Sequence, residues 1–179
     1  MYPFTITLST DKKSKGKKNT CQYLILHHTA WGTFESNCKI LSGSVWDVSC
    51  HFVVGPKGET AKIGDPKDVL WHAGNSQRWN LVMMNGYSMG IEVVWPDKDW
   101  RFTKAQHKAV AELVRHLMKA FNIPKENILC HHDITWKWSK EKKLRDGKSP
   151  ARKPDLNPIF RHAQWYNTFA DYRTYLANA

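Results

Sequence analysis

Acidic side chains are the scarce class in this chain: 16 Asp and Glu stand against 27 Lys and Arg, leaving a net charge of +11 over 179 residues. Such a surplus favours a polyanionic partner, whether nucleic acid, an anionic membrane surface or an anionic cell-wall polymer. Long apolar runs are also missing, and no stretch approaches the length of a transmembrane helix. Cysteine is limited to Cys21, Cys38, Cys50 and Cys130, with no CxxC pair, so there is no zinc-ribbon pattern. Reduced, mostly buried thiols are expected, with a Cys38–Cys50 disulfide left open for an oxidising compartment. The opening MYPFTITLSTDKKSKGKK lacks the order of a signal peptide, because its charges follow the apolar part instead of preceding it. A chain without its own export signal, cytoplasmic until released, is therefore expected. No internal repeat is visible.

What is present reads as one domain of sufficient size for a real core, preceded by a basic arm over residues 1–19. The arm is expected to be poorly ordered or an edge element. CQYLILHH is a short, β-favouring apolar run and predicts a buried strand. Thr33 is placed to cap a helix reaching residue 42, with Gly43 as its stop. SCHFVVGPKGETAKIG predicts a hairpin, DPKDVLWHAGNS a loop, and YSMGIEVVW another strand. Thr103 and Gln106 form a capping box at the start of the clearest helix, with Val110, Leu113, Leu117 and Phe121 at helical spacing and Pro124 as its end. ENILCHH predicts a strand. The basic segment 136–152 has neither period and predicts a long loop. Residues 161–176 predict a final helix with Trp165, Phe169, Tyr172 and Leu176 on one face. The order implies an α/β fold: a single domain with a central mixed sheet flanked by helices.

Two apolar runs end in paired histidines, ILHHTAWG at 25–32 and ILCHHDITW at 128–136. Successive strand residues point to opposite faces, so one histidine of each pair can reach a shared point and the other points elsewhere. Two imidazoles from different strands plus a carboxylate make a three-ligand zinc site with a fourth position for water. Asp155, in a loop stiffened by Pro154 and Pro158, is one carboxylate candidate, and Asp133 is its rival.

Five motifs in order then resemble one family. The strand end is LILHHTA. SCHFVVGPKGE, WHAGNS and NGYSMGIE follow, and CHHDI with KPDLNPIF closes the series. Together they resemble the zinc-dependent N-acetylmuramoyl-L-alanine amidases, the family of amidase-type phage lysozymes, AmpD-type bacterial amidases and peptidoglycan recognition proteins. The resemblance spans about residues 22–160, so residues 20–179 would be a zinc amidase catalytic domain of that fold. It implies His27, His131 and Asp155 as Zn2+ ligands, with Asp133 structural. It also implies Glu92 as catalytic carboxylate and Lys153 as catalytic lysine. Two departures stand out: amidase-type phage lysozymes have tyrosine at the position of Cys50 and cysteine at that of Asp155. Both point toward the AmpD-type arrangement, in which Glu92 takes the base role.

On that reading Trp71, His72, Asn75 and Asn85 are expected to line a groove, since aromatic and amide side chains suit sugar faces and peptide edges. His51 is expected as a groove residue or a support behind it. The implied function is peptidoglycan hydrolysis at the bond between N-acetylmuramic acid and L-alanine, by a monomeric phage or prophage endolysin. The cationic arm would help contact with an anionic envelope. A cytoplasmic AmpD-type enzyme recycling anhydro-muropeptides and a non-catalytic peptidoglycan-binding module are the alternatives. The chain holds no recognised nucleic-acid motif, so the charge alone does not make nucleic acid a partner.

Overall fold

The computed structural model describes residues 2–29, 31–95, 102–131 and 133–134. The expected basic loop 136–152, the expected helix 161–176, His132, Lys153 and Asp155 lie outside the described residues. The strands are β1 (Ile6–Thr7), β2 (Lys13–Lys18), β3 (Tyr23–His28), β4 (Phe52–Val54), β5 (Thr60–Lys62), β6 (Asp68–Leu70), β7 (Gln77–Arg78), β8 (Leu81–Val82), β9 (Ser88–Val93) and β10 (Ile128–Cys130). The helices are α1 (Phe34–Ser42) and α2 (Lys104–Phe121).

Six strands form the main sheet in the order β1-β5-β4-β9-β3-β10. The β4–β5 hairpin is antiparallel, and the other pairings are parallel. The expected mixed sheet is present. β3 and β9 lie in its interior, which explains their largely apolar sequences: a strand covered on both faces has no solvent side to make polar. Register fixes the faces. Ile25 pairs with Gly90, His27 with Glu92, and Leu129 with Ile25. Paired residues on adjacent parallel strands share a face, so Ile25, His27, Gly90, Glu92 and Leu129 all point the same way.

The opposite face carries Leu24, Leu26, Phe52, Met89, Ile91 and Val93, packed against Val110, Leu113, Val114 and Leu117 of α2. The capping box expected from sequence sets where α2 begins. Thr103 Oγ1 accepts from the Gln106 N–H and Gln106 Oε1 accepts from the Thr103 N–H, each at 3.0 Å. Gln106 Nε2 also donates to the Val94 carbonyl at 2.7 Å, tying the helix start to the end of β9. The helix ends before Pro124: Asn122 closes it at φ 54°, a left-handed cap that asparagine tolerates.

The first face is covered in two parts. Phe34, Cys38 and Leu41 of α1 pack on Val53, Ala61 and Ile63. Ala73, Met84 and Ile134 pack on Tyr23, Ile25 and Leu129. Thr33 caps α1 as expected, with Ser36 completing a capping box, and Gly43 follows its last residue in extended conformation.

Two segments differ from the simplest sequence reading. DPKDVLWHAGNS contains β6, which pairs antiparallel with β2. Three residues flanked by charge carry too little pattern to announce a strand. Residues 1–19 take the edge-element alternative rather than the disordered one. β1 pairs with β5 at the edge of the main sheet, and Lys12 is buried with Nζ donating to Ile40 O (2.8 Å) and Trp46 O (3.1 Å). Between the β2–β6 pairs Lys13–Leu70 and Lys18–Asp68, residues 14–17 face only Val69, so β2 bulges outward with Gly16 at φ 72°. Lys15, Lys17 and Lys18 are exposed there.

Candidate metal and catalytic site

β3 delivers His27 near its C-terminal end, and the chain leaving β10 delivers His131 beside it. Their Nδ1 atoms lie 3.0 Å apart, and both rings are fully buried. The first histidine pair is divided as strand geometry requires. His28 pairs with Val93 in register, and its ring lies tilted against Trp95 with centroids 4.4 Å apart. Asp133 holds the turn that follows β10: its Oδ2 accepts the Cys130 N–H at 2.8 Å.

The pair fits a zinc ion. Two nitrogens bound at 2.0–2.1 Å to a tetrahedral centre lie roughly 3.3 Å apart, close to the 3.0 Å found here. Burial keeps competing water away from both donors. No group of three potential ligands is assembled among the described residues, and the third expected ligand, Asp155, lies outside them.

Glu92 is half-buried on β9, directly across from His27 in register and on the same face. Adjacent strands are about 4.8 Å apart, so the Glu92 and His27 backbones lie one strand spacing from each other. Cys50 lies nearby. Burial, with the Glu92 charge adding to it, pushes its thiol well above the ordinary range, and Sγ lies 3.1 Å from the Phe52 carbonyl.

Two further histidines stand behind the pair. His72 Nδ1 is 3.0 Å from His27 Nε2, with the rings edge-on at 84°. The room that Gly90 leaves on β9 is filled by this ring: a Cβ at residue 90 would lie 2.5 Å from His72 Cγ. His51 accepts the Gly90 N–H at Nδ1 (3.0 Å), so its Nε2 donates to the Asp68 carbonyl (3.1 Å). Burial pulls its pKa down to about 4.

These placements revise the groove expected from sequence. His51, His72 and Asn85 are buried and bonded inside the protein. Asn85 Oδ1 accepts from both the His72 and Ala73 N–H groups, at 3.1 and 2.7 Å. They are supports rather than lining. Asn75 is exposed, and Trp71 is half-buried with Nε1 donating to Ser14 Oγ at 3.3 Å, so these two remain candidates for contact with a ligand. The contact of His72 with His27 was not legible from spacing. Its one sign was Gly90, since a glycine inside a strand marks a close approach by another group.

A buried histidine pair at the ends of parallel strands, with an acidic residue on the adjacent strand, defines an α/β protein with a candidate metal site. The chain belongs to the N-acetylmuramoyl-L-alanine amidase family, whose model matches residues 17–147. It is 26% identical over 171 residues to the N-acetylmuramoyl-L-alanine amidase AmiD of Escherichia coli K12, covering 86% of this chain and 55% of AmiD. It is 29% identical over 118 residues to the 1,6-anhydro-N-acetylmuramyl-L-alanine amidase AmpD of the same organism, covering 66% of this chain and 56% of AmpD. The alignments thus span just over half the length of these curated relatives. Among solved structures, a selenomethionine derivative of AmpD superposes with a TM-score of 0.67 at 19% identity, covering 94% of this chain and 96% of that one. A PlyL mutant superposes at 0.61 and 20% identity, covering 82% and 92%. These likenesses establish the fold.

Proposed function

We propose that this protein is a zinc-dependent amidase that hydrolyses the bond between the lactyl carbonyl of N-acetylmuramic acid and L-alanine in peptidoglycan. The observation that carries the proposal is the buried His27–His131 pair, with Nδ1 atoms 3.0 Å apart and Glu92 across the strand from His27. Family membership supports the substrate class. A structural relative, AmiD, was solved with anhydro-N-acetylmuramic acid-L-Ala-D-gamma-Glu-L-Lys as its substrate, at 23% identity and a TM-score of 0.60.

In this reading His27, His131 and Asp155 hold the ion. Zinc, when bound, polarises the carbonyl and makes water acidic enough to attack near neutral pH. Glu92 takes a proton from the attacking water and returns it to the amide nitrogen as the C–N bond breaks. The products are a muramyl carboxylate and a free alanyl amine. Lys153 donates to the oxyanion that develops on the carbonyl oxygen, a contribution typically worth about 3–4 kcal/mol in barrier height.

Release of new alanine amino groups from purified peptidoglycan tests the reaction, with protein stripped by a chelator and then reloaded with zinc. Loss on stripping and return on reloading is expected. Full activity after complete zinc removal would sink the metal mechanism, and inactivity of the zinc-loaded protein would favour a peptidoglycan-binding module.

The proposed setting is that of an endolysin acting on the intact wall, supported by the exposed lysines of the β2 bulge. Similarity to AmpD favours the alternative, recycling of soluble anhydro-muropeptides. Comparing turnover of intact sacculi with that of a soluble anhydro-muropeptide separates the two.

A further inference from the structure

We infer that His72 is a positioning residue that fixes the tautomer and orientation of His27, leaving the His27 Nδ1 lone pair aimed at the metal position. The inference rests on the zinc-site reading above and concerns a residue that does not itself reach the ion.

The chain of bonds begins at a group with no choice. The Ser88 carbonyl oxygen only accepts, and His72 Nε2 lies 3.2 Å from it. The Ser88 hydroxyl donates to the Met84 carbonyl at 2.6 Å, so it too can only accept from His72. His72 Nε2 therefore carries a proton. A neutral imidazole has one N–H and one lone pair, so His72 Nδ1 is an acceptor. Its partner at 3.0 Å is His27 Nε2, which must donate. The lone pair of neutral His27 is then left on Nδ1, the atom facing His131.

The relay is rigid at every joint. Asn85 holds the backbone on both sides of the His72–Ala73 bond. The missing side chain of Gly90 admits the ring, and burial shields the bonds from exchange with water. Metal-bound histidines commonly pass their second N–H to a carboxylate or a carbonyl. Here an imidazole is interposed, and the carbonyl stands one ring further back.

The test uses the full chain and has two readouts besides turnover. Long-range 15N–1H NMR of the metal-free protein at mildly alkaline pH reads the tautomers directly. His72 and His27 are both expected as the Nε2–H form, and a His27 carrying its proton on Nδ1 would overturn the inference whatever any variant does. Zinc affinity is then measured by competition with a chromophoric chelator. His72→Leu, which has no acceptor, is expected to bind about 10- to 100-fold more weakly. His72→Asn, whose Oδ1 can take the place of Nδ1, is expected to recover most of that loss. Equal affinity in the wild type and His72→Leu would overturn the positioning role while leaving the zinc amidase intact. Failure of the wild type to bind zinc would overturn the proposed function itself.

Discussion

His27 is engaged at both nitrogens: Nδ1 faces His131 and Nε2 faces His72, each at 3.0 Å. Glu92 does different work on the neighbouring strand, and its replacement should separate binding from chemistry. In Glu92→Gln the fold and the histidine pair persist while proton transfer is lost. Zinc content should stay at the wild-type level and amine release should fall by roughly 10²–10⁴. Retained turnover would remove Glu92 from the proton path. His51 makes a second prediction at this scale. Its ordinary value is 6.5 and burial lowers it to about 4. Between those values the unfolded chain binds a proton that the folded chain refuses, so stability falls as pH falls through that window, by up to about 3 kcal/mol from this group. His51→Asn keeps an acceptor for the Gly90 N–H but cannot titrate. Denaturant midpoints of chelated protein, followed across the window, should show a shallower decline in the variant.

The elements differ in how plainly the sequence announces them. α2 was legible because its start is marked by a capping box and its buried face recurs at helical spacing. β3, β9 and β10 were legible as apolar runs, and the division of the His27–His28 pair followed from the two-residue period of a strand. β6 was not, because Asp68–Leu70 gains its strand identity from pairing with β2, a contact no local pattern encodes. The contact of His72 with His27 was hidden for a similar reason: the two are 45 residues apart and meet only because β9 lies beside β3 with a gap at Gly90. Filling that gap tests the joint. In Gly90→Ala the added methyl would meet the His72 ring at 2.5 Å, and such overpacking costs about 1–3 kcal/mol. Zinc affinity should drop along with thermal stability. By contrast Leu113→Ala, on the far face, should cost about 2–5 kcal/mol of stability and leave zinc affinity unchanged.

At the scale of the molecule, part of the positive charge among the described residues is gathered on β2. Lys15, Lys17 and Lys18 project from the β2 bulge, and the segment carrying them is anchored. Lys12 is tucked under the last turn of α1, Lys13 pairs with Asp68 at 2.8 Å, and Ser14 accepts from Trp71 beside the His72 loop. Deleting residues 1–18 would therefore remove a sheet edge and a helix cap together with the charge, and is expected to lower stability. The cleaner experiment is Lys15→Gln, Lys17→Gln and Lys18→Gln together. Co-sedimentation with sacculi should weaken most at low salt, because exposed charges act over a Debye length. Turnover of a soluble muropeptide should stay near the wild-type level. If binding to sacculi were unchanged at low salt, the bulge would have no part in envelope contact.

The fit of the His72 ring over Gly90 also bears on descent. Two motifs, WHAGNS and NGYSMGIE, meet as a ring and its socket, so neither can change alone without leaving a collision or a hole. Lineages of this family should alter the two positions in step. A side chain at the place of Gly90 is expected only where the place of His72 holds something smaller, and an alignment of relatives deep enough to count such paired changes would show whether the two sites have travelled together.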